Sequence, residues 1–476
     1  MHPSAPAKSI DLFITSPRLH FRAPPTVTFL YAWERFLVQS DKLDSSNGAE
    51  CYQVQTKATV DSGKRCESLI ADAEKQLSEQ FEKIDAIALI NQRRVLKAYK
   101  DHRLTEEHFA EHTGYGLNDT GRAVVDGIFA QVMQAEAAAV RLQLVSGTHA
   151  IACTLLGNLA PGDRIVCLTG EPYDTLHSVI GRNSDVPGSL RAQKVEYVEV
   201  DLDASALSKE SLEKELRKVL AQPTKIAYVQ KSCGYSFKRP TLSNQEIGRL
   251  SQAVKAISPE TSVIVDNCYG EFVEANEPTA CGADMVVGSL IKNPGGGLAI
   301  CGGYFAGKKK LVEGALTRLT APGIDGHLGI TYNQSRLILQ GLYLAPAFVA
   351  NAVKGSLLIA QIFSKLGLNV RPSPGEERFD IIQAVELKTR ERLLTFCRSV
   401  QMASPVNPHV IPNPAPLPGY EDEVIMAGGT FVEGATLELS ADGPLRPPYV
   451  AYIQAGLSYL NIKYFLEILL ESFPFG

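Results

Sequence analysis

The chain has 476 residues, 45% hydrophobic and 21% charged, which is the composition of an ordinary globular protein with room for a large domain and a smaller one. Its formal charge of −5, from 47 basic and 52 acidic side chains, gives no support for a nucleic-acid or polyanion partner. Nine cysteines without a Cys-x-x-Cys pair, several in apolar runs such as Ala152-Cys153 and Ile300-Cys301, argue for reduced buried thiols and against disulfides or a zinc site.

Residues 1–65 carry no sustained helical or strand period. The first 33 residues hold Asp11 against Lys8, Arg18 and Arg22, with several Ser, Thr and Pro, the composition of an organelle transit peptide; Asp41, Asp44 and Glu50 weaken that pattern. A tail without fixed structure is the other reading. The expected location is accordingly the cytoplasm or a plastid. An amphipathic helix is predicted over 66–99, with Leu69, Ala73, Leu77, Phe81, Ile84 and Ile87 near helical spacing.

From Glu136 the pattern changes to short apolar strands alternating with helices: "AVRLQLVSG", "DRIVCLTG", "VEYVEVD", "KIAYVQ", "SVIVDN" and "ADMVVGS". Such alternation means a mostly parallel sheet covered on both faces, in which ligands sit at the carboxyl ends of the strands. The predicted fold class is therefore α/β. The helical arm and large domain span 66–330, and a small α+β domain covers 331–476. The longest apolar stretch, 337–363, is interrupted by Pro346, Asn351 and Lys354, so it reads as a packed, proline-kinked helix and no membrane partner is expected. A proline-rich loop, "SPVNPHVIPNPAPLPGY", and a strand in "EGATLELSADG" follow.

Several strand ends carry polar residues able to face one ligand. "VSGTHA" places Ser146, Gly147 and Thr148 at a helix start, where exposed N–H groups favour a phosphate, although Ser and Thr also serve there as plain caps. Tyr173, just past the next strand, offers a face to a flat ring or merely flanks a turn. Asp266 follows the buried run Val263-Ile264-Val265, and a carboxylate there needs a cationic partner. Ser289 ends the following strand, and Lys292 comes three residues later in "VVGSLIKNPGGG". A lysine at a buried strand mouth escapes the penalty on its charge if its amine is covalently joined to an aldehyde. A phosphate seat, a stacking ring, a carboxylate and that lysine are the four requirements of pyridoxal 5'-phosphate. Gly295, Gly296 and Gly297 would let the chain pass close to cofactor or substrate.

The segments "SGTHAIACTLLGNLAPGDRI", "GEPYDTLHSVIG", "VDNCYGEFVE" and "GSLIKNPGGGLAICGGYFAG" resemble the methionine gamma-lyase-like family of pyridoxal-phosphate enzymes, also labelled aluminium resistance proteins and near the cystathionine lyases. The likeness runs from about residue 70 to 476. It implies a fold-type I, aminotransferase-like domain, with Lys292 bonded to the cofactor and Asp266 paired with the pyridine nitrogen. Tyr173 would stack on the ring, and Gly147, Thr148 and Ser289 would contact the phosphate. Tyr115 and Arg122, in "TGYGLNDTGR", would reach the phosphate of a neighbouring subunit, which implies a homodimer or homotetramer with shared sites. Arg446 is the candidate for the substrate carboxylate, because a guanidinium binds it bidentately. Ile291 departs from the polar residue that better-known members carry before the lysine, which bears on substrate and reaction more than on cofactor.

The implied activity is carbon–sulfur elimination from a sulfur amino acid, giving a 2-oxo acid, ammonia and a thiol. Lys292 would be the general base, and Tyr115 or Tyr173 would shuttle a proton. Transamination, racemisation or decarboxylation would use the same residues, and a non-catalytic stress-response protein could keep the same fold. "HFAEH", residues 108–112, matches a zinc-protease pattern, but the following "TGYG" would end its helix and no third ligand stands out.

Overall fold

The computed structural model describes residues 58–473 except 111–114, 116–118, 183–185, 205, 418–419 and 436, with side chains described from Cys66 onward. The expected transit peptide or tail therefore lies outside the described residues, apart from 58–65, which form the start of a helix.

That helix, α1 (Ala58–Asp101), is longer than its periodicity suggests. Cys66, Ile70, Ala73 and Leu77, spaced by three or four residues, are buried on one face. They join the core of the second sheet, whereas Val95 and Ala98 join that of the first. After α2 (Thr120–Val132) comes the alternating region: β1 (Ala137–Arg141), α3 (Gly147–Asn158), β2 (Arg164–Cys167), α4 (Leu176–Ile180) and β3 (Glu196–Glu199). It continues with α5 (Lys209–Val219), β4 (Ile226–Gln230), α6 (Asn244–Ile257), β5 (Ser262–Asp266), β6 (Met285–Ser289), β7 (Gly303–Gly307) and α7 (Lys309–Leu319).

The seven strands form one sheet in the order β1-β7-β6-β5-β4-β2-β3. Strand β7 runs antiparallel to both neighbours and all other pairs are parallel, so the sheet is mostly parallel, as the alternation predicts. β2, β4, β6 and β7 are buried along their whole length, which is why the sequences of the first three read as apolar runs and not as alternating ones.

Helix α8 (Ser335–Lys365) contains Pro346 and connects the two cores: Ile338 to Val353 belong to the first, Leu357 to Phe363 to the second. By length and composition α8 is sufficient to cross a bilayer, and 67% of its most apolar window is buried inside the protein. The second sheet is wholly antiparallel, in the order β10-β11-β12-β9-β8. Its elements are β8 (Val370–Arg371), β9 (Ile382–Glu386), α9 (Arg390–Met402), β10 (Val424–Ala427), β11 (Ser440–Pro444), β12 (Val450–Gln454) and α10 (Tyr459–Ser472). Phe363, Phe396, Phe465 and Phe473 pack edge-on or tilted, with ring centroids 5.5–5.8 Å apart, and tie α8, α9 and α10 together.

Candidate active site

Parallel pairing sets Gln230 opposite Asp266 and Asp266 opposite Val287, so β4 and β5 end level and β6 runs two residues further, to Ser289. The Gln230 side chain accepts a hydrogen bond from the Tyr173 N–H at 2.7 Å, which fixes the loop after β2 to the end of β4. Asp266, 7% exposed, accepts from the Tyr228 hydroxyl at 3.3 Å and from the Cys268 N–H at 3.0 Å. One strand over, the Lys292 Nζ lies 3.8 Å from the centroid of the Tyr269 ring. Burial works against its charge, but Cys268, Tyr269 and the Asp266 carboxylate outweigh that and hold its pKa above the ordinary lysine value. Lys292 and Asp266 are therefore within electrostatic reach of each other.

Beside them is the start of α3. The Ser146 hydroxyl accepts from the His149 N–H at 3.1 Å and so acts as the helix cap, and the Thr148 hydroxyl pairs with that of Thr175 at 2.7 Å. The N–H groups of Gly147 and Thr148 take no part in the backbone hydrogen bonding of the described residues. A Cβ at Gly147 would stand 3.4 Å from both Ser289 Cβ and Cys268 Sγ. The Ser289 hydroxyl, 1% exposed, has no hydrogen-bond partner. A helix start with free N–H groups next to an unsatisfied hydroxyl suits an anion.

Three groups here carry no signal in the sequence. Asp442, on β11, faces Lys292; burial pushes its pKa up to about 6, against the nearby Tyr235 hydroxyl and the lysine charge. Tyr235 packs 5.4 Å from Tyr173 and 5.8 Å from Tyr420, and the Tyr173 and Tyr420 hydroxyls are hydrogen-bonded at 2.7 Å. These residues come from separate loops, so no local spacing announces them. Glu271, 0% exposed, accepts from the Tyr304 hydroxyl at 2.8 Å, and its second carboxyl oxygen has no partner.

Burial pushes the Glu271 pKa from an ordinary 4.5 up to about 8, with Tyr304 and Lys292 opposing the rise and Glu277 adding to it. The folded state thus holds a proton that the unfolded chain has lost between these two values. Stability falls as pH rises through that window and levels off above it. Glu271→Gln is expected to flatten this dependence by a few kcal/mol, read from urea midpoints between pH 5 and 9. An unchanged slope would show that the carboxyl is ionised throughout.

Other expected residues lie elsewhere. The Arg122 guanidinium donates within its own chain, to Gly329 O at 2.9 Å and His327 O at 2.7 Å. Tyr115 is 75% exposed. Arg446, with a 48% exposed side chain, is ion-paired with Asp422 at 2.8 Å, near Tyr452 and Asp174 at the rim of the tyrosine group. The glycines after Lys292 serve the fold: a Cβ on Gly295 would meet Leu290 O at 1.8 Å, and one on Gly296 would meet Gly341 O of α8 at 2.2 Å. They let the turn press against a helix, which corrects the expectation that they face cofactor or substrate. Of "HFAEH", Glu111 and His112 lie outside the described residues, and the His108 ring accepts from the Thr105 N–H at 3.0 Å in a short 3-10 turn.

A family model described as methionine gamma-lyase matches residues 66–474. The uncharacterized protein YnbB of Bacillus subtilis is 44% identical over 407 residues, covering 85% of this chain and 96% of that protein. A crystal structure from Clostridium novyi NT, described as a carbon-sulfur lyase involved in aluminium resistance, is 39% identical with a TM-score of 0.81, over 87% of this chain and 97% of that one. A candidate cystathionine beta-lyase of Listeria monocytogenes, also tied to aluminium resistance, is 42% identical with a TM-score of 0.81, over 86% of this chain and 100% of that one. The pyridoxal-5'-phosphate-dependent protein YhfS of Escherichia coli, at 16% identity and a TM-score of 0.56 over 82% of this chain and 97% of that one, shares the fold alone.

Proposed function

The chain belongs to the methionine gamma-lyase family, and from that membership we propose that it is a pyridoxal-phosphate-dependent carbon–sulfur lyase acting on a sulfur-containing amino acid. The observation that carries this reading is the placement of Lys292 and Asp266 at neighbouring strand ends, within electrostatic reach, beside a helix start with free N–H groups.

The residues fit the cofactor. The unpartnered Ser289 hydroxyl and the Gly147 and Thr148 N–H groups would hold its phosphate; Ser146 contributes by capping the same helix. Tyr173 would cover its ring, Asp266 would keep its pyridine nitrogen protonated, and Lys292 would bond its aldehyde. When bound, the cofactor supplies an electron sink for charge developing at the substrate Cα.

The protein's own residues do the rest. Lys292, in its uncharged form, would take the proton from the substrate Cα. Asp266, fixed by Tyr228 and Cys268, would meet the pyridine nitrogen without reorganisation. The hydrogen-bonded hydroxyls of Tyr173 and Tyr420 offer a path for a second proton, and Tyr235 and Tyr452 close the same side against water. Arg446 lies at the rim and would take the substrate carboxylate by exchanging it for Asp422. Exposed Tyr115 suits a ring lent to a partner copy in a dimer or tetramer.

The test is a visible spectrum of the loaded protein before and after L-cysteine, L-cystathionine or L-methionine, with product analysis. A 2-oxo acid, ammonia and a thiol in equal amounts are expected from at least one of them. Racemised or transaminated products without thiol release would overturn the lyase assignment and leave the cofactor in place.

A further inference from the structure

Nothing in the family resemblance assigns a role to Tyr269, yet its ring lies against the Lys292 amine. The lysine Nζ lies 3.8 Å from its ring centroid, over the face. That geometry is bought with strained backbone: Tyr269 has φ 75° and Phe272 φ 63°, both left-handed and both disfavoured for bulky side chains. The strain is held in place by the lysine's own neighbour. Asn293 donates through one amide nitrogen to Tyr269 O at 3.0 Å and Glu271 O at 2.9 Å, so the loop carrying the ring is clasped to the residue that follows Lys292. Ring and amine are thereby fixed relative to each other.

An aromatic face carries negative potential and stabilises a nearby cation, most strongly where water is excluded. Burial, opposed by Lys292, pushes the Tyr269 hydroxyl up to about 12, so the ring meets the lysine as a neutral group. We propose that Tyr269 is a positioning residue whose ring face favours the protonated form of the Lys292 nitrogen, both as a free amine and when that nitrogen is joined to the cofactor. This inference rests on the pyridoxal reading above. The other groups facing the nitrogen are Asp266 at the end of β5, Cys268 on the following loop and Asp442 on β11, with Glu271 just behind on that loop. All of them persist when only the ring is changed.

The readout is the pH midpoint of the visible band of the loaded protein, a property independent of turnover. Tyr269→Leu is expected to lower the midpoint by about one unit, a tenfold change in the protonation equilibrium, and Tyr269→Phe to stay within about twofold of the original. Tyr269→Met gives the same ringless comparison should the leucine variant not fold. A ringless variant whose midpoint stays within twofold, or a phenylalanine variant that shifts as far as leucine, overturns the inference. An original protein with no visible band overturns the pyridoxal reading instead.

Discussion

Lys292→Ala is expected to abolish the visible absorption of the cofactor-loaded protein and to lower turnover by at least roughly 10²–10⁴-fold, the range for a positioned general base. The site gives one amine two tasks. It would bond the cofactor aldehyde, and once displaced it would stand close enough to Cα to remove a proton. Lys231 is no substitute, because it is fully buried on Asn244 and Glu274, at 2.5 and 2.7 Å. Lys292→Arg is the companion variant: it keeps a cation above the Tyr269 ring and forms no covalent bond, so it should lose the band as completely as alanine. A variant that retained the band would show that another lysine holds the cofactor.

Asp266→Asn is expected to cost roughly 10²–10³-fold in kcat, the loss typical of removing one preorganised electrostatic partner of developing charge. The Cys268 N–H and the Tyr228 hydroxyl at present bond different carboxylate oxygens, at 3.0 and 3.3 Å; the asparagine oxygen can still accept from the Cys268 N–H, and its amide NH2 can donate to the Tyr228 hydroxyl, which turns from donor to acceptor. The melting temperature should therefore move little while the chemistry suffers. The amide cannot keep a pyridine nitrogen protonated, and the electron sink weakens. Steady-state kcat beside the melting temperature separates the two effects; kcat within threefold of the original would remove Asp266 from its assigned role.

The strands that deliver the site were legible because burial on both faces leaves an unmistakable local signature: "IAYVQ", "SVIVD" and "MVVGS" are continuous apolar runs that end at Gln230, Asp266 and Ser289. Strand β7, "GYFAG", escaped for a physical reason. A Cβ at Gly307 would meet Asp284 O at 2.3 Å, so close approach to β6 demands glycines that erase the strand signal. In the second sheet the strand expected in "EGATLELSADG" lies at the carboxyl end of that segment, as β11, Ser-Ala-Asp-Gly-Pro, whereas β8 has two residues, too few to leave a pattern. Asp442 and the tyrosines at 235 and 420 meet only through the tertiary fold. Arg122 illustrates the converse. Its residue type suits a phosphate, but the 327–329 segment lies over it and takes its two terminal nitrogens. Residue chemistry named the candidates there, and only packing could say which way they point.

The central claim is a covalent bond between one particular amine and the cofactor. Borohydride reduction of the loaded protein, followed by proteolysis and mass spectrometry, tests it directly. The reduced cofactor should appear in a single peptide, on Lys292 within "GSLIKNPGGG", and in stoichiometric amount. Its mass on any other lysine, or no modified peptide from a protein that binds the cofactor, would contradict the account.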